Sequence, residues 1–192
     1  TFVKTYPNCR QRLNFPEGEI KVYKACLNSK TFRDKMTSWI ELAAETGAEG
    51  VFWDEPHLFF GEFTSLFGGK KRDIWGCTCE VCQDIFKEKY GYEMPIDFTD
   101  DVKAFRQMTI VNFLEYLANE ASKKGLKNSV CLFPTTDPRY GIYEWEKVAM
   151  LKSMDIFGSD PYWYAYKQDV TEFVRNVSNE VLALSKKYNK EP

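Results

Sequence analysis

The stretch Gly50-Val51-Phe52-Trp53-Asp54-Glu55-Pro56 decides the fold. Four residues are too few for a helix and apolar enough for a buried strand, and the run ends abruptly in two carboxylates. A helix precedes it: Phe32, Met36, Trp39, Ile40 and Ala43 recur at helical spacing over residues 31–46, with Asn28 or Ser29 as cap and Gly47 as stop. Strand following helix, repeated, is the signature of a parallel sheet built from βα units. The repetition is present. Residues 19–25 (EIKVYKA) read as an earlier strand, 129–134 (SVCLFP) as a later one and 154–161 (MDIFGSDP) as another. Helices are expected over 80–90, with Val81, Ile85 and Phe86 inward, and over 99–124. Two more are expected over 143–153 and 168–187. The long helix carries Val102, Phe105, Met108, Val111, Leu114, Leu117 and Ala121 on one stripe.

Three of these strands end in polar clusters: Asp54-Glu55, Thr135-Thr136-Asp137 and Ser159-Asp160. In parallel α/β folds chemistry gathers at the carboxyl ends of strands, so these endings mark the candidate site. The bland alternative for Asp54-Glu55 is an acidic junction held by an ion pair or a helix N-terminus. Tyr162, Trp163 and Tyr164 follow Asp160 and would suit a wall on which sugar C–H faces stack. A Ser-Asp-Pro turn under packed aromatics is the competing reading. His57, the chain's one histidine, follows Glu55 by two positions and is a candidate to orient or donate. The connection over 57–76 is long and aromatic, which points to function rather than simple linkage.

Composition sets limits. With 26 basic and 28 acidic residues the net charge is −2, which gives no electrostatic case for nucleic acid or an anionic membrane. No apolar run approaches the roughly 20 residues that span a bilayer. The opening residues lack the apolar core of a signal peptide, although a leader removed by processing would leave the same sequence. The cytoplasm is the expected compartment. Of six cysteines, Cys77, Cys79 and Cys82 fall within six positions. Such spacing is poor disulfide geometry and usually serves metals or redox chemistry. Free thiols or a disulfide in an exported protein are the alternatives.

The stretch from Lys24 to Tyr90 resembles glycoside hydrolase family 42, the β-galactosidases with a catalytic (β/α)₈ barrel. Three landmarks carry the resemblance: KACLNSKTFRDKM (24–36), VFWDEPH (51–57) and CTCEVCQDIFKEKYG (77–91). It implies a general acid/base at Glu55, at the end of a fourth barrel strand, and a structural zinc on Cys26, Cys77, Cys79 and Cys82, with Cys9 the alternative fourth ligand. Asp54 stands where that family has Asn, and the loop after Glu55 is longer than expected, so β-galactosidase specificity does not carry over.

The expectation is therefore an α/β chain forming part of a TIM (β/α)₈ barrel, with a cysteine-rich zinc loop. Residues 1–192 would be one domain, about strands three to six. The substrate would be a carbohydrate, bound by Asp54, His57, Asp137, Asp160, Tyr162 and Trp163, and its O-glycosidic bond would be hydrolysed with Glu55 as acid/base. Apolar neighbours such as Phe52 and Trp53, or the aromatic loop, would raise the pKa of that acid by desolvation. The nucleophile is expected on a seventh strand outside this chain. A non-catalytic, zinc-stabilised carbohydrate-binding or scaffold module of the same architecture is the alternative. A zinc hydrolase is disfavoured because four thiolates leave the metal no open position. The oligomeric state is not legible.

Overall fold

A computed structural model describes residues 2–15, 22–61 and 74–192. The elements among these are α1 (Phe2–Thr5), α2 (Lys30–Glu45), β1 (Gly50–Asp54), α3 (Glu80–Tyr90), α4 (Asp100–Lys123), β2 (Lys127–Leu132), α5 (Glu146–Ala149), β3 (Ile156–Ser159) and α6 (Val170–Tyr188). Short 3₁₀ turns lie at Pro7–Cys9 and Pro138–Tyr140.

The three strands form one parallel sheet in the order β1-β2-β3. Asp54 lies opposite Cys131 and Leu132 opposite Ser159, so all three strands end along one edge. After α6 the chain returns to the sheet: Glu191 bridges Ile156 in parallel, and Phe157 donates to the Glu191 carbonyl at 2.8 Å.

The chain divides into two compact units. One holds residues 36–56, 111–136 and 142–192, and with them the whole sheet. Its core joins Val130 and Leu132 of β2, Phe157 of β3, Leu114, Leu117, Ala118 and Ala121 of α4, and Val148 and Ala149 of α5, all buried. β2 is central and buried along most of its length, whereas the edge strand β1 leaves Phe52 60% exposed. The other unit holds residues 1–35, 57–110 and 137–141. There Phe60, Phe86, Val102 and Phe105 are buried, with Phe86 meeting Phe105 edge-on at 5.4 Å.

Several expectations shift once packing is known. Much of the strand expected over 19–25 lies outside the described residues. Its described end makes a single antiparallel bridge, Arg10 to Ala25. The α3 face is rotated: Val81 is exposed, and Cys82 with Phe86, one turn apart, points inward. Midway along α4 the buried residues are Arg106, Gln107, Thr109 and Ile110, while Met108 and Val111 are half-buried. The helix expected over 143–153 shrinks to one turn, because the chain bends through Leu151–Met154 to enter β3. In α2 only Ile40 is buried and Trp39 is exposed; the cap is Ser29, whose Oγ accepts from Phe32 N at 3.4 Å.

Candidate functional site

The carboxyl edge of the sheet gathers the acidic residues. Glu55 extends the ladder one residue past β1, donating its N–H to the Cys131 carbonyl at 2.9 Å. It then turns sharply, with φ at 41°. That left-handed conformation is uncommon outside glycine, and residues held in it cluster at active sites. The side chain is half-buried and its Oε1 is enclosed. Across the edge, Asp160 directly follows β3. Asp54, Cys131 and Asp160 each place a ligand-type atom within 4.8 Å of the others.

Tyr162 stands at this edge. Its hydroxyl donates to Asp160 Oδ2 at 3.1 Å and lies within reach of the Glu55 charge. Burial, that bond to Asp160 and the negative charge of Glu55 all push the phenol above its ordinary range. Cys131 is pushed up to about 12, first by burial and then by the charge and hydrogen bond of Asp160. At neutral pH it is a protonated thiol, unlike the thiolate that binds metals or attacks substrates. Trp163 and Tyr164, 41% and 81% exposed, stand edge-to-face at 5.8 Å beside this carboxylate row.

The 60% exposure of Phe52 takes it out of any role in desolvating Glu55, and Trp53 Nε1 donates to Asn128 Oδ1 at 2.9 Å. Most of the aromatic loop over 57–76 lies outside the described residues.

His57 and Asp137 belong to the other unit. His57 Nε2 contacts Lys24 Nζ, and its ring meets Phe60 edge-on at 5.9 Å. Asp137 caps the Pro138–Tyr140 turn by accepting from Arg139 N at 2.9 Å. Both of its oxygens also take Arg139 Nε at 2.9 Å.

That unit also contains the cysteine cluster. Cys26, Cys77, Cys79 and Cys82 bring four buried sulfurs within 4.8 Å of one another. Cys26 Sγ lies 3.5 Å from both Cys79 and Cys82, too far for a disulfide bond, and all six cysteines are free. Four sulfurs about 2.3 Å from one central zinc would stand roughly 3.8 Å apart, so the set fits a tetrahedral thiolate site. Cys9 is buried outside the cluster and reaches it only through its backbone, accepting from Cys26 N at 2.7 Å. Asn28 Nδ2 donates to Cys82 Sγ at 3.4 Å. Proton sharing among buried thiols holds Cys79 low and drives Cys82 up. The local fold explains the convergence: Cys79 is the N-cap of α3, which leaves Cys82 on its first turn.

Two contributors were not singled out from sequence: Asn28 at the sulfurs, and Arg106. The last carried a signal, since a lone arginine inside the apolar run of α4 is out of pattern.

No protein-family model matches the chain, and no curated protein matches it. Among solved structures there is a likeness in fold, an α/β arrangement of parallel strands and helices. The particular likeness is to the crystal structure of the catalytic domain of beta-amylase from Paenibacillus polymyxa, with a TM-score of 0.63 and 10% identity. The match covers 95% of this chain and 60% of that domain. Among the described residues no helix is long and apolar enough to cross a membrane.

Proposed function

We propose that this chain is part of a carbohydrate-active barrel, a divergent relative of glycoside hydrolase family 42, that hydrolyses O-glycosidic bonds with Glu55 as general acid/base. The observation that carries the reading is the placement of Glu55: strained, half-enclosed, and at the carboxyl end of a parallel strand whose edge also gathers Asp54 and Asp160. A glycosidase needs a carboxylic acid that protonates the departing oxygen, worth about 10²–10⁴-fold in rate. Glu55 takes that role. Asp160 and Asp54 bind sugar hydroxyls, and Tyr162 and Trp163 offer faces for stacking. His57 and Asp137 are proposed as further substrate contacts. A second carboxylate, about 5–5.5 Å from the acid in a retaining enzyme, is assigned to a further barrel strand outside these 192 residues.

The four-cysteine cluster is proposed to hold zinc. With every position filled by sulfur the ion has a structural role and takes no part in the chemistry. It would tie the loop before α2 to the start of α3.

The test compares natural oligosaccharides with activated aryl glycosides on the longer parent polypeptide and its Glu55→Gln variant. Aryl leaving groups depart with little protonation, so the variant should lose far more on the natural substrates. Equal retention on both classes would move the acid elsewhere, with Asp160 next in line. A parent that binds sugars without cleaving any would favour the binding-module reading.

A further inference from the structure

Arg106 lies on the buried stripe of α4 and has no exposed surface. A cation removed from water costs several kcal/mol unless something compensates it. Among the described residues its hydrogen-bond partners are four backbone carbonyls. Nε donates to Gly76 at 2.8 Å, Nη1 to Pro138 at 3.3 Å and Arg139 at 3.1 Å, and Nη2 to Phe59 at 3.0 Å. The guanidinium also lies over the Phe98 ring, 5.3 Å from its centre. Carbonyl dipoles and a ring face solvate a cation but bring no opposite charge. Burial pushes Arg106 down to about 9, which leaves it charged at neutral pH.

Gly76, whose carbonyl takes Nε, is the residue before Cys77. A divalent ion within four thiolates leaves two negative charges in excess, buried with the sulfurs and closed to water. Among the described residues a buried positive charge that meets no carboxylate is thus held, through the Gly76 carbonyl, one residue from a cluster that would carry a buried negative excess once loaded. Each is costly alone.

We infer that Arg106 is the counter-charge of the metal-loaded four-cysteine cluster, and that its fork couples metal loading to the backbone at Phe59 and Pro138–Arg139. The inference rests on the metal reading of the cluster given above. Arg106 is a positioning residue here: it touches no sulfur, and acts through the Gly76 carbonyl and through charge. Groups in this position around metal sites typically change metal affinity 10–100-fold when replaced.

The experiment measures Zn²⁺ affinity by competition with a chromophoric chelator, and records the Co²⁺-substituted spectrum, for the parent chain, Arg106→Met and Arg106→Lys. Arg106→Met should bind Zn²⁺ about 10–100-fold more weakly while keeping the four-sulfur Co²⁺ absorption. Arg106→Lys, which keeps the charge without the fork, should fall between. Equal Zn²⁺ affinity of Arg106→Met and parent overturns the inference and leaves the metal reading standing. A parent that binds no Zn²⁺ overturns both. Should Arg106→Met fail to fold, the parent alone decides by hydrogen exchange. Stripping Zn²⁺ should weaken protection of the Tyr140 and Gly141 amides, which follow the carbonyls held by Arg106. Unchanged protection there overturns the coupling.

Discussion

Glu55 holds a φ of 41° that a non-glycine residue adopts at a cost of about 1–3 kcal/mol. Its flanking residues do not need the turn for burial, since Asp54 is exposed and Pro56 half-exposed. The strain aims one carboxylate. Replacing Glu55 by glycine should therefore relieve the backbone and raise the melting temperature of the 192-residue chain by about 2–4 °C, roughly 1 kcal/mol, while abolishing hydrolysis by the parent. A calorimetric scan checks it; a lower melting temperature would show that the side chain holds the turn for stability. Cys131 offers a second residue-scale outcome. Its folded pKa is raised from 9.0 to about 12, so its protonated form is favoured in the fold. That contribution is present in full below the unfolded value and is lost as pH rises through the folded one. Between pH 9 and 12 the parent should lose stability more steeply than Cys131→Ala, read as the shift of denaturant midpoints with pH. The carboxylates and the cysteine motif were legible because both are local in sequence. Arg106 and Asn28 were not, because what matters about them is which carbonyls or sulfurs they meet, and those lie on other elements.

At the scale of elements, periodicity located helices well wherever caps and stops agreed with it. Residues 80–90 were expected as helix and form it, ended by Gly91 at φ 81°. The inward face was misjudged because apolarity alone favoured Val81 and Ile85, whereas the cluster claims Cys82. Burial of the cysteine outranks aliphatic packing at that turn. Removing one ligand should show it: Cys79→Ser is expected to drop metal content from one zinc per chain to a small fraction. It should also lower the melting temperature by about 10 °C, since structural metal binding is folding free energy. Elemental analysis and a thermal melt test it, and an unchanged melt would make the cluster four buried thiols. In the sheet unit Phe157, fully buried on β3, meets Trp145 edge-on at 6.1 Å. Phe157→Ala should cost about 3–5 kcal/mol by urea titration, with metal content unchanged because the cysteines lie in the other unit.

For the molecule as a whole, the informative regularity is that β1, β2 and β3 are neighbours in sequence order, parallel, and joined through helices. After α6 the chain comes back to bridge Ile156 at Glu191, the next position in the same series. Parallel strands added in order, each with its helix, are how a (β/α) barrel grows. Sequence pattern alone reached this architecture because every strand ends in a visible polar cluster. The division into two compact units was not legible, since α2 and α4 each contribute residues to both and no change of composition marks the boundary. The chain spans 60% of the beta-amylase catalytic domain it resembles in fold, and the activity proposed for Glu55 is a proposal about a longer polypeptide that contains it. A barrel glycosidase draws its catalytic groups from the ends of several strands. Acid assistance supplies only about 10²–10⁴ of a rate enhancement that reaches at least 10⁶. The 192 residues alone should accordingly show no glycoside hydrolysis above background, whereas the parent should turn over. The isolated chain should still bind oligosaccharide weakly, because Asp160, Tyr162 and Trp163 are in place. Binding is read by quenching of tryptophan fluorescence, and Trp163→Ala should remove most of the quench. Turnover by the isolated chain would place both carboxylates within it, and Asp160, which directly follows β3 on the same edge of the sheet, would then be the nucleophile to test.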